Sequence, residues 1–93
     1  MMTLERLIGS IGMRTFVKYY YNFKNHDRNY CITHFEENFT DKAKSSKTGH
    51  AQLIFKNSQE KDTLIKISKS SRVDEETREQ AKQILKNDFN YQD

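Results

Sequence analysis

The chain of 93 residues has no proline and no tryptophan, three glycines and one cysteine. Without proline the strongest helix breaker is missing, so helices can run and end wherever other signals direct. A lone Cys31 excludes an intramolecular disulfide. No apolar run approaches the roughly 20 residues that a membrane span needs. The opening MMTLERLIGSIG lacks a basic head followed by an apolar stretch, so no secretory leader is read there and a cytoplasmic location is expected. Strand signals are also missing. No segment alternates cleanly, and no Asn-Gly or Asp-Gly pair marks a hairpin.

What is present is charge and aromatic carbon. Charged residues make up 31% of the chain and hydrophobic ones 34%, a low value for a globular protein. Aromatic residues at 12% compensate, because each Phe or Tyr buries a large area. One small domain over residues 1–88 with a short tail at 89–93 is expected. A core of this size gains from a partner or from a second copy of the chain. The net charge of +3 is unevenly spread. Arg6, Arg14, Lys18 and Lys24 face only Glu5 in the first 24 residues, and Lys42, Lys44, Lys47 and Lys56 stand in an acid-free block. Residues 58–93 balance seven bases against eight acids. Such asymmetry points to a partner that carries negative charge.

Hydrophobic spacing predicts helices throughout. Leu4, Leu7, Ile8 and Ile11 form one stripe, and Met13, Phe16, Val17, Tyr20 and Phe23 form another on nearly the opposite side of the same wheel. A single straight helix cannot turn both to one core. A short helix over about 3–9, a break near Gly9–Gly12 and a second helix over about 13–24 resolve the conflict. In the aromatic run FVKYYYNF, Phe16, Tyr20 and Phe23 are read as core, and Tyr19 and Tyr21 lie at the flanks. Further helices are expected over about 27–38, 43–57, 58–70 and 74–87, with Ser71-Arg72-Val73-Asp74 as a capping box before the last. The fold class is all-α, a compact bundle of about five short helices.

Residues 28–56 have the outline of a helix-turn-helix: a helix, a turn, and a second helix whose start is basic and hydroxyl-rich. Its Lys42, Lys44, Ser46, Lys47, Thr48, His50 and Gln52 are the residue types that reach phosphates and base edges. Arg14, Lys18, Tyr21 and Lys24 make a second candidate contact, for phosphates with one stacking ring. The function expected from this pattern is a small non-enzymatic regulatory or accessory protein that binds DNA or RNA.

The alternative is a protein-binding adaptor or inhibitor, or a homodimer, using Tyr19, Tyr21 and Tyr91 together with the amphipathic last helix. Cys31 and His34, with His26 and His50 elsewhere, lack the second close pair of a zinc site, so no metal or cofactor is expected. No nucleophile–base pair, phosphate-cradling glycine loop or inward carboxylate pair indicates catalysis or a small-molecule substrate. On the expected helices Glu36–Glu37 and Glu75–Glu76 are neighbours, whose side chains would point apart and not form a carboxylate pair.

Overall fold

A computed structural model describes residues 2–92, and among these it contains only helices. They are α1 (Leu4–Ile11), α2 (Met13–Lys18), α3 (Tyr20–Asn25), α4 (Arg28–Thr33), α5 (Asp41–Lys56), α6 (Glu60–Ser68) and α7 (Glu75–Phe89). The all-α bundle expected from the pattern is present, with seven helices in place of about five.

The first break falls where the two apolar stripes change sides. Gly12 takes φ 89°, a backbone region that side-chain-bearing residues rarely occupy, and closes α1 through its N–H to the Ile8 carbonyl. The turn brings Leu7, Ile8 and Ile11 of α1 and Phe16 and Val17 of α2 to the same core. The expected helix over 13–24 is interrupted only at Tyr19, and hydrogen bonds still pass through it, from its N–H to Thr15 and to its carbonyl from Phe23.

The aromatic run forms the centre. Phe16 stands edge-on to Tyr20 at 5.7 Å between centroids and lies against Phe55 of α5 at 5.8 Å. Tyr20 also meets Phe55, at 5.1 Å. Tyr19, expected at a flank, is 7% exposed and packs edge-on to Phe35 at 4.9 Å. Around these rings α5 packs on α1, α3 and α4, α6 packs on α7, and α2 joins the halves by lying on α7.

Helix ends differ from the sequence expectation where distant contacts decide them. α4 stops at Thr33 rather than near residue 38. Its last carbonyls are taken by side chains, with the Thr33 hydroxyl on Asn29 and Tyr30, while the Glu36 N–H leaves the helical ladder for the Tyr19 hydroxyl. Ser58 does not open α6. It closes α5 in the left-handed region at φ 57°, with the Gln59 N–H on the Ile54 carbonyl. The last helix is capped by Asp74 and not by Ser71, since the Asp74 carboxylate accepts from both the N–H and the hydroxyl of Thr77. Arg78 holds the carbonyls of Ser70 and Val73 at 3.0 and 2.5 Å and so keeps residues 70–73 as a turn. α7 continues to Phe89, and the Tyr91 N–H bonds to the Leu85 carbonyl. Phe89 and Tyr91, which the sequence places in a tail able to fold back, pack against the core.

Candidate nucleic-acid interface

α5 begins with Thr40, whose hydroxyl accepts from the Ala43 N–H, and its Asp41 suits the positive end of the helix dipole. Its orientation is set by Thr48, Ala51 and Ile54, all fully buried. That anchoring row decides where every other side chain of the basic block goes.

Lys47 turns toward α1. Its ammonium donates to the carbonyls of Ser10 and Ile11 at 3.3 and 3.0 Å and sits over the Phe39 ring at 4.9 Å. These carbonyls are at the C-terminal end of α1, where a cation satisfies groups the helix leaves unpaired. His50 joins the same contact through a 2.7 Å hydrogen bond between its Nδ1 and Ser10 Oγ. Gln52 donates to the His26 carbonyl at 3.0 Å. Thr48 has no surface to offer, and its buried hydroxyl has no hydrogen-bond partner among the described residues. Lys44 is half-buried on the same side as Thr48.

The outer face of α5 carries Lys42, Ser46, Gly49, Leu53 and Lys56, at spacings of four, three, four and three residues. Leu53 is 36% exposed in the middle of this stripe. Beside it lies a residue that the sequence reading did not single out. The Arg28 guanidinium reaches from α4 across α5 and bonds to the hydroxyl and the carbonyl of Ser45. It passes Gly49 so closely that a Cβ there would be 3.2 Å from Nη1. The missing side chain at Gly49 is therefore what lets the cation lie flat on the helix.

Arg14 and Lys18 do not join this face. Lys18 is bonded to Glu37 at 3.0 Å and to Glu36 at 3.1 Å, and these two carboxylates hold its ammonium strongly in the charged form. Burial, then the neighbouring Glu37, raises the Tyr19 phenol above its ordinary value. Arg14 is exposed on α2, next to the turn that precedes α7. The tyrosines are also dispersed. Tyr19 is in the core, Tyr21 is 43% exposed with its hydroxyl on Asp88 at 3.2 Å, and Lys61 lies over the Tyr91 ring at 5.5 Å. No continuous tyrosine face is assembled.

Two further properties bear on the chemistry. Cys31 is buried with its thiol on the Asn22 carbonyl at 3.2 Å, and burial pushes its pKa up, with Asp27 adding to the effect. His34 faces away and stacks on Tyr30, which stacks in turn on His26, at 3.8 and 3.7 Å between centroids. Among the described residues no group of three or more His, Cys, Asp or Glu side chains is placed to hold a metal ion, and no helix is long and apolar enough to cross a membrane.

A helix-turn-helix joins its two helices by three or four residues. Here α4 has six residues, and a connection of seven, 34–40, leads to α5. Four of the seven block residues expected to face a groove, Lys47, Thr48, His50 and Gln52, are instead engaged inside the protein. The signal for this was available in the chain: extending the Ala51–Ile54 stripe back by one turn selects Lys47, Thr48 and His50. Comparison with protein-family models, with curated proteins and with solved structures returned no match.

Proposed function

We propose that this chain is a small non-enzymatic nucleic-acid-binding accessory protein that grips the phosphate backbone through the outer face of α5. The observation that carries the reading is the charge of that face. Arg28, Lys42 and Lys56 border an uncharged strip of Ser46, Gly49 and Leu53, and the strip itself holds no acid. Lys42 and Lys56 are 14 residues apart, about 21 Å along the helix axis. That is about two-thirds of one turn of duplex, a length over which cations on one helix can follow one backbone.

Backbone contact positions a protein without reading sequence. The inward engagement of Thr48, His50 and Gln52 supports this form of binding over base readout. Three phosphate contacts give a slope of log affinity on log salt of about −2.7 for duplex DNA.

The test is fluorescence anisotropy with a labelled duplex of mixed sequence, at about 50 and 200 mM salt. Lys42→Ala combined with Lys56→Ala removes two contacts and brings the slope to about −0.9, at every sequence tried. Wild-type binding that ignores salt, or that the double variant leaves intact, refutes the reading. Failure to bind duplex or single strands at the lower salt also refutes it and directs the search to a protein partner.

A further inference from the structure

A second feature of the molecule is a concavity away from α5. It is a cleft of about 640 Å³ between the α1–α2 corner and the turn that precedes α7. Pockets that hold small organic ligands have volumes on the order of 300–1,000 Å³. The floor is apolar, made by Ile8, Met13, Ile67 and Val73. Arg14 and Arg72 stand on the rim.

The local charges cancel these two cations only in part. Glu5 is paired with Lys66 at 3.3 Å. Asp74 uses its carboxylate to cap α7 through Thr77, whose hydroxyl it meets at 2.6 Å. Thr77 is the first cause of that carboxyl lying below its ordinary value, and the more distant charge of Arg14 lowers it a little further. Three cations, Arg14, Lys66 and Arg72, therefore line the cleft against two carboxylates, so a net charge of +1 remains once Lys66 is paired with Glu5 and Asp74 is set against Arg14. The Arg72 wall is also held in place, because Arg78 bonds to the carbonyls on both sides of it, at Ser70 and Val73.

Gly9 adds an independent observation. It lies inside α1 and lines the cleft. A Cβ built there would meet nothing within 4 Å. Alanine would favour the helix more, so neither packing nor backbone within the chain accounts for the glycine. Its effect is to leave the cleft wall flat and the cleft open.

We infer that this cleft binds an amphipathic organic anion, with an apolar body on Ile8, Met13, Ile67 and Val73 and a single carboxylate, phosphate or sulfonate between Arg14 and Arg72. This site is separate from the α5 face, and its success or failure leaves the nucleic-acid reading untouched.

The probe is anilinonaphthalene sulfonate, an aromatic body with one anionic group, titrated by fluorescence and calorimetry against the whole chain. Its uncharged analogue, phenylnaphthylamine, serves as control. The expected result is one site per chain, with amide shifts at Ile8, Gly9, Ile67 and Val73 in nuclear magnetic resonance spectra, and weaker binding of the uncharged analogue. Gly9→Leu fills the cleft and abolishes binding. Arg14→Ala with Arg72→Ala weakens the sulfonate by about tenfold and leaves the uncharged analogue unchanged. Both arginines are exposed, so this variant keeps its fold even if Gly9→Leu does not. Absence of binding by the wild type, equal binding by all folded variants, or shifts that map elsewhere overturn the inference.

Discussion

Replacing Tyr19 by Phe tests how the connection between α4 and α5 is held. The ring is buried against Phe35 and Phe23, and phenylalanine keeps those contacts. The hydroxyl donates to Glu37 Oε1 at 2.5 Å and accepts from the Glu36 N–H at 2.9 Å. Its loss removes one charge-assisted hydrogen bond and leaves one part-buried amide without an acceptor. A bond to a charged group contributes about 1.5–3 kcal/mol when buried. The Glu37 side chain is 33% exposed, so water replaces part of the contact and the lower end applies. Adding about 1 kcal/mol for the orphaned amide and discounting for solvent gives a total near 2 kcal/mol. For a domain of this size that corresponds to a fall in Tm of about 8–16 °C. Urea and thermal unfolding followed by circular dichroism measure it, with an unchanged m-value as the sign that the fold is intact.

The same substitution has a pH signature. Burial pushes the Glu37 carboxyl up, but the Tyr19 hydroxyl and the Lys18 ammonium outweigh it and hold the group below the ordinary carboxylate value. A carboxyl whose folded pKa is depressed contributes stability that is complete above its unfolded value, about 4.3, and is lost as pH falls through the folded value. The stability gap between wild type and Tyr19→Phe therefore narrows as pH falls below about 4.3. A Tm loss under about 2 °C, or a gap that stays constant from neutral to strongly acid pH, refutes the assignment of the hydroxyl as the clamp of this loop.

The glycines of the first turn respond in opposite directions. Gly9→Ala adds a Cβ to an open helical position and raises stability by about 1 kcal/mol, whereas Gly12→Ala forces a side chain into φ 89° and lowers it by about 1–3 kcal/mol. Denaturation midpoints of the two variants check this, and equal effects would mean that the chain does not reverse at Gly12. Thr48→Val removes a buried hydroxyl that has no partner among the described residues, so stability stays the same or rises by about 1 kcal/mol, and on the proposed function any affinity for duplex DNA is unchanged. A loss of DNA affinity in a folded Thr48→Val variant would return Thr48 to the interface and refute the inward orientation of α5.

Local rules carried the sequence reading as far as they reach. The break between α1 and α2 was legible because both of its causes are local: two stripes that change sides and a glycine between them. The end of α4 was not. It depends on Tyr19, 17 residues before the Glu36 amide that it captures. Ser71 matched a cap by pattern, but Asp74, three residues later, is itself a capping residue type, and the Arg78 bonds to Ser70 and Val73 select the later one. The basic block shows the difference between composition and presentation. Four lysines against a single acid mark α5 as basic, and that much is visible in the letters. Which of them face outward follows from the row Thr48, Ala51 and Ile54, and this row consumes Lys47 in closing α1 and turns Lys44 aside. Two lysines remain on the outer face, joined by an arginine from another helix that needs Gly49 to lie beside them. An anionic partner of the kind proposed would therefore meet about three cations on this helix rather than the seven polar side chains of the block. On the proposed function, contact of that size would follow a phosphate backbone weakly and reversibly, and would fall with salt before it distinguished one sequence from another.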